Sequence, residues 1–271
     1  MIILLRVSVH MENNVTVLIP IGPQPEYLQW LPEAIESVLQ QTVPVDEILL
    51  LADGFNLWEK IRLDTLVFPD LYGPELGLNK SIHWNTTTHG KVTYIESEDK
   101  LTPKVSWWSS PWNIGFAQVF NCGVGLADND LIIYLASDDK LMPTAVEDCL
   151  KTWNDNNQKD AWYAMSYWYH EDTHTIPNNA AMITENLWKY LKGYPPSAFA
   201  GPDAMLLSCL IAHANDRIIK VAEGKANYWV REHPYQDTKR QFSFFAASGV
   251  MEIIRDMETR RFVPNAEVIL K

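Results

Sequence analysis

The sequence predicts an α/β fold, a mixed and mainly parallel sheet flanked by helices, and three observations carry that prediction. Residues 15–19, an amphipathic stretch and residues 48–51 follow one another in the strand–helix–strand order of a βαβ unit. Leu131-Ile132-Ile133-Tyr134-Leu135 is a continuous apolar run, the pattern of a strand buried on both faces in a parallel sheet. That run ends in Ser137-Asp138-Asp139, and open α/β sheets bind ligands beyond the carboxyl ends of their strands.

Taken in order, Met1-Ile2-Ile3-Leu4-Leu5 lacks the basic lead and small-residue cleavage site of a secretory signal. It reads as a short extension, with Met11 an alternative start. The β-branched run 15–19 is a first strand ended by Pro20. A loop through Gly22-Pro23 leads to a helix whose Leu28, Leu31, Ile35, Val38 and Leu39 form one apolar stripe. Residues 48–51 are the second strand, and Ala52-Asp53-Gly54 turns off its end. A helix is expected within 58–66 and a third strand at 92–95. Trp107, Trp108 and Trp112 are expected in a loop that seals the edge of the core. Asn113-Ile114-Gly115-Phe116 opens a helix, and Asn121 lies eight residues on, about 80° further round, so both amides could face one crevice. The alternative is an N-cap at Asn113 and a chance polar residue at Asn121. After the central strand come an aromatic strand at 161–169, a helix at 183–190, and a helix opened by Asp203 as N-cap. Strands at 218–221 and 226–230 follow, the second closed by Arg231-Glu232-His233, and a helix is expected at 242–257.

Composition narrows the function. The chain has 271 residues, ordinary hydrophobic (47%) and charged (21%) content, and enough length for a sizeable core. Its net charge of −12 disfavours nonspecific binding to nucleic acid or an anionic membrane, since both need clustered Lys and Arg. Cys122, Cys149 and Cys209 form no Cys-x-x-Cys pair, which points to reduced thiols in a cytoplasmic protein. No apolar run approaches the roughly 18 residues of a membrane span.

Two motifs bear on chemistry. Asp138 and Asp139 offer hard oxygen ligands for Mg²⁺ or Mn²⁺, and such a metal could hold phosphate. The alternative is that they cap the next helix. His170-Glu171-Asp172-Thr173-His174 matches the His-Glu-x-x-His zinc-peptidase pattern, which requires a helix. Here it follows an alternating aromatic strand and runs into Thr175-Ile176-Pro177, so a hairpin is favoured over a peptidase site at His170 and His174.

The order of pieces resembles the family 2 glycosyltransferases of GT-A (Rossmann-like) fold, over about residues 14–235. The resemblance rests on Val15-Thr16-Val17-Leu18-Ile19-Pro20, on Leu31-Pro32-Glu33-Ala34-Ile35-Glu36-Ser37-Val38-Leu39-Gln40-Gln41-Thr42, and on Ala52-Asp53-Gly54. It continues through Asn113-Ile114-Gly115 with Asn121-Cys122-Gly123, Asp138-Asp139, Pro202-Asp203 and Arg231-Glu232-His233. It implies one compact domain: an extension (1–14), a nucleotide-sugar-binding half (15–140), an acceptor-binding half (141–235) and a helical tail (236–271). It also implies an inverting transfer of one sugar from a nucleotide-sugar, a UDP-sugar for preference, to a glycan or small-molecule acceptor. Pro20, Asp53, Asn113, Asn121, Asp138, Arg231 and His233 would line the donor, Asp53 on its base and Arg231 and His233 on its diphosphate. Asp139 and His233 would hold a divalent metal (Mn²⁺ or Mg²⁺), and Asp203 would be the general base.

Two departures stand out. Ala136 occupies a position where many members have an acid, and Ile21-Gly22-Pro23 replaces the Tyr-Asn often found after the first strand's proline. The missing acid motivates an alternative, a non-catalytic GT-A module that binds a nucleotide or glycan. A hydroxymethylated DNA base is a further possible acceptor, disfavoured by the acidic charge. No membrane helix and no Gln-x-x-Arg-Trp motif of processive synthases is present in the sequence.

Overall fold

The structure, a computed structural model, describes residues 13–54, 84–89, 92–97, 103–110, 112–169, 172–174, 180–194, 202–222 and 224–234. The strands are β1 (Val15–Ile21), β2 (Glu47–Asp53), β3 (Trp84–His89), β4 (Val92–Ser97), β5 (Lys104–Ser110), β6 (Leu131–Tyr134), β7 (Lys140–Leu141), β8 (Trp162–Ala164), β9 (Ser166–Tyr169), β10 (Asp172–His174), β11 (Ala181–Thr184), β12 (Ile218–Lys220) and β13 (Ala226–Trp229). The helices are α1 (Leu31–Leu39), α2 (Phe116–Leu126), α3 (Ala145–Asp155), α4 (Glu185–Leu191) and α5 (Pro202–Ala214), with a 3-10 turn at Pro25–Gln29 before α1.

Among the described residues a nine-stranded sheet runs β12-β8-β11-β6-β1-β2-β5-β4-β3, and a four-stranded sheet runs β10-β9-β13-β7. β6, β1, β2 and β5 are mutually parallel, and the flanking strands β11 and β4 are antiparallel to them. The chain steps outward from β1 to β2 and β5, then returns through α2 to the other side of β1 as β6. This reversal makes the carboxyl ends of β1 and β6 a topological switch point, the place where open α/β sheets form a crevice and take ligands.

Period-two alternation divides the central strands between two apolar layers. Val17, Ile19, Ile48, Leu50 and Ile133 pack on Ala34, Ile35 and Val38 of α1 and on Val146 and Cys149 of α3. Leu18, Leu49, Leu51 and Ile132 face Phe120 and Val124 of α2, Leu187 of α4 and Leu210 of α5. Gly123 lets α2 lie close on the sheet, since a β-carbon there would collide with Leu51. Pro20 is tolerated in a central strand because β6 pairs with β1 only as far as Leu18, so Pro20 pairs with β2 alone.

Several expectations shift. The tryptophans at 107 and 108 lie on strand β5 rather than in a loop, both buried, while Trp112 beyond the strand is 54% exposed. The 161–169 stretch divides at Met165 into β8 and β9, which enter different sheets. The 183–190 stretch begins as strand β11, and α4 starts only at Glu185, capped by the Thr184 hydroxyl. Asp203 stands inside the first turn of α5, one residue after Pro202, rather than at its N-cap. Asp172–His174 is a strand antiparallel to β9, a hairpin that does not offer the helix a zinc-peptidase motif needs. The expected helices at 58–66 and 242–257 lie outside the described residues. The three cysteines are buried and free, and no described helix is long and apolar enough to cross a membrane.

At the amino end of the sheet, Glu47 is buried and accepts hydrogen bonds from the Thr16 hydroxyl (2.8 Å), the Ser106 hydroxyl (3.0 Å) and the Asp128 N–H (2.9 Å). Burial pushes its carboxyl above the ordinary 4.5, against the lowering effect of those donors. The folded chain therefore holds this proton to a higher pH than the unfolded chain does. The contribution is fully present below pH 4.5 and is lost as pH rises through the folded value. Glu47→Gln keeps every hydrogen bond, because its amide oxygen accepts from Thr16 and Asp128 while its NH₂ donates to Ser106. The variant should fold and should lack this acidic segment of the stability–pH curve, as read from urea midpoints across a pH series. Identical curves for both proteins would contradict it.

Candidate active site

The turn after β6 carries the paired aspartates. They do not cap α3: β7 intervenes, and the N-cap of that helix is Thr144. The two side chains point different ways. Asp139 is turned into the fold, 8% exposed, with Oδ1 accepting the Arg231 N–H at 2.9 Å and Oδ2 accepting the Tyr228 hydroxyl at 3.0 Å. Burial, then the charge of Asp138, pushes its carboxyl well above the usual range. The Tyr228 hydroxyl in turn accepts the Ala136 N–H at 2.9 Å, and burial raises its own pKa, so it stays a neutral donor.

Asp138 faces the crevice. Its Oδ2 lies 2.8 Å from Nε2 of His233, and its carbonyl accepts Nε–H of Arg231 at 2.8 Å. His233 is itself buried, its ring 4.1 Å from that of Trp30 and edge-on to Tyr27 at 5.9 Å. The resemblance pairs Asp139 with His233 as metal ligands; in the structure the carboxylate beside His233 is that of Asp138, while the Tyr228 and Arg231 contacts turn Asp139 inward. One carboxylate and one imidazole suit a Mg²⁺ or Mn²⁺ whose remaining ligands come from phosphate and water. No group of three His, Cys, Asp or Glu side chains that could cage a metal occurs among the described residues.

Around this pair stand further charged and aromatic groups. Arg231 donates to Glu33 Oε2 at 2.7 Å, and this bond, ahead of burial, sets the Glu33 carboxyl below its ordinary value. Lys140 lies 3.5 Å from the same oxygen and 4.4 Å from the ring centre of Trp229. Trp30, Tyr228 and Trp229 belong to no motif of their own in the sequence. The available signal was their adjacency to the first loop and to Arg231-Glu232-His233.

The other end of the crevice is organised by Asp53 at the end of β2. Its oxygens accept the Ile114 N–H (2.7 Å) and Gly115 N–H (2.9 Å), clamping residues 113–115. Burial raises its carboxyl pKa against those two donors, and burial followed by the Asp53 charge pushes the Cys122 thiol up to about 11, leaving it inert. Asn113 is exposed at this end, its Oδ1 accepting the Gly115 N–H at 3.0 Å in an Asx turn. Asn121 does not join it. α2 begins at Phe116, so Asn113 precedes the helix and the helical offset between the two does not apply. The Asn121 amide is buried and bound both ways to the Tyr194 backbone, 2.9 Å to the carbonyl and 2.9 Å from the N–H, so it is a structural tie rather than a donor contact. Gly193 beside it has φ +65°, and a β-carbon there would strike the Asn121 oxygen. Pro20 borders the crevice at the end of β1, and Asp203 is placed by the first turn of α5.

The arrangement of the strands and helices is shared with solved structures. S. aureus TarS 1-349 in complex with UDP-GlcNAc matches at a TM-score of 0.60 and 14% identity, covering 90% of this chain and 66% of that one. Its complex with UDP matches at 0.57 and 14%, over 90% and 64%. The mannosyltransferase PcManGT from Pyrobaculum calidifontis in complex with GDP-Man and Mn²⁺ matches at 0.51 and 13%, over 90% and 64%. The chain has the GT-A fold. Residues 87–208 also match the family model described as Glycosyl transferase family 2. Together these bear out the resemblance read from the sequence. The chain spans less than two thirds of the length of the TarS 1-349 complex with UDP, and no curated protein matches it in sequence.

Tyr228→Phe tests the inward role of Asp139 in this GT-A chain. The change leaves the Ala136 N–H and Asp139 Oδ2 without the hydroxyl between them, so stability should fall by about 1–3 kcal/mol, measured by urea denaturation. Unchanged stability would show that the hydroxyl does not tie the turn to β13.

Proposed function

We propose that the chain transfers a single sugar from a nucleotide-sugar to an acceptor hydroxyl, with inversion, in the crevice between β1 and β6. The observation that carries this reading is the Asp138–His233 pair, 2.8 Å apart at the carboxyl end of β6. A UDP-sugar is the preferred donor, in keeping with the UDP-GlcNAc bound by TarS, and the GDP-Man of PcManGT is the second choice.

Asp138 and His233 would hold a divalent metal, which when bound neutralises the diphosphate and stabilises it as leaving group. Asp139 keeps the turn in place from beneath, through Tyr228 and the Arg231 N–H. Asp53 fixes residues 113–115 as the base end of the crevice, and each of its oxygens keeps a further lone pair for a base N–H. Asp203, at the start of α5, takes the proton from the acceptor hydroxyl as that oxygen attacks the anomeric carbon. The acceptor is a glycan or small molecule, favoured over duplex DNA by the net charge of −12.

The test begins with thermal shifts for a panel of nucleoside diphosphates and nucleotide-sugars, with and without Mn²⁺. A metal-dependent stabilisation by one nucleotide and its sugar is expected; none across the panel overturns the reading. Asp138→Asn should lose the Mn²⁺-dependent part of nucleotide affinity. Asp203→Asn should keep it while slowing sugar transfer by about 10²–10⁴-fold. Proton NMR of the product should show the inverted anomer, and a retained anomer would remove Asp203 from its role.

A further inference from the structure

We infer that Arg231 is a positioning residue that braces the Asp138–Asp139 turn, held to that task by Glu33, Trp30 and Trp229, rather than a group that grips the diphosphate directly. The inference rests on the proposed reading of the turn as the diphosphate end of the crevice. Three of its N–H groups are spent inside the chain: the backbone N–H on Asp139 Oδ1 (2.9 Å), Nε–H on the Asp138 carbonyl (2.8 Å) and an outer guanidinium nitrogen on Glu33 Oε2 (2.7 Å). The first two fix the backbone and one side chain of the turn from the opposite strand. The third fixes the guanidinium to α1.

The surroundings hold it there. The guanidinium carbon lies 5.0 Å from the ring centre of Trp229 and 5.6 Å from that of Trp30, within the range where an indole face attracts a cation. Its side chain is 17% exposed. Arginines that bind phosphate frequently do so with a pair of parallel N–H groups. Swinging the guanidinium out toward a ligand here would break the bonds from Nε to Asp138 and from the outer nitrogen to Glu33 and withdraw the cation from two indoles. Lys140, 3.5 Å from the same Glu33 oxygen, adds a second cation there. Trp30 stacks on His233 as well, so one segment before and within α1 fixes both the brace and the imidazole.

Glu33 therefore acts through Arg231, and the sign of its effect is decisive. Calorimetric titration of the full chain with UDP and with GDP, in Mn²⁺ and in EDTA, should show Glu33→Gln and Arg231→Ala each weakening the Mn²⁺-dependent affinity about tenfold. Affinity in EDTA should change less than about twofold, and the double variant should be no weaker than Arg231→Ala alone. Loss of fold would lower affinity in both conditions, whereas a displaced turn lowers only the metal-dependent part. Glu33→Gln is a change at a half-exposed side chain, so it keeps the test open should Arg231→Ala not fold. Tighter binding by Glu33→Gln would mean that a released Arg231 reaches the phosphates, and it overturns the inference. Equal binding by wild type and Glu33→Gln overturns it too, as does weaker EDTA binding by a folded Arg231→Ala. A wild type that binds neither nucleotide in Mn²⁺ overturns the proposed function and the inference with it; a wild type that binds, with indifferent variants, overturns the inference alone.

Discussion

One buried carboxylate sets the geometry on which the crevice depends. Asp139 is withdrawn from water, and an ionisable group in that position is costly unless its oxygens are occupied. They are occupied by two groups of β13 and its exit, the Tyr228 hydroxyl and the Arg231 N–H, far away in sequence. The bond therefore joins the end of the large sheet to the small one. Once that joint is made, Asp138, one residue before Asp139, and His233, two residues beyond Arg231, are brought to the same place. Asp138, beside it in the turn, is left to meet the His233 ring.

The same economy recurs at the far end of the crevice. Asp53 also spends its oxygens on backbone N–H groups, and what it gains is a fixed loop at residues 113–115. Gly54, with φ +82°, brings that loop close, since a β-carbon there would lie 3.2 Å from the Asn113 β-carbon. Asn121 plays the corresponding part behind the sheet, binding the Tyr194 backbone to α2. Three polar residues of the motif set thus hold chain segments in register, and the groups that face the crevice are their neighbours.

This division explains what the sequence could and could not disclose. The parallel strands β1, β2 and β6 were legible because strands buried on both faces must be apolar throughout. β5 was not, because Lys104, two central tryptophans and three serines hide a buried strand behind a polar, aromatic composition. The acidic turn was visible as a pair, but adjacency cannot say which member is inside; that depends on Tyr228, whose hydroxyl lies across the fold. Asn121 misled for the same reason, its partner being a backbone that comes near only after α4 is in place. Ala136, which reads as a missing acid, has its N–H taken by the Tyr228 hydroxyl, so this position contributes backbone to the joint instead of a side chain to the crevice.

Charge at the turn bears on how a diphosphate could be accepted by a chain with a net charge of −12. At physiological salt, exposed charges more than about 8 Å apart are largely screened, so the local groups decide. Those described here are Asp138, Asp139 and Glu33 against Arg231 and Lys140, with both cations engaged by Glu33. Two cations against these carboxylates and the neighbouring Glu232 leave no surplus of positive charge to attract an anion. On the proposed reading, the positive charge that a diphosphate needs has to arrive with the donor as a divalent cation. A half-exposed Glu33 that neutralises its own arginine then makes physical sense, because it keeps the crevice from binding anions that bring no metal with them.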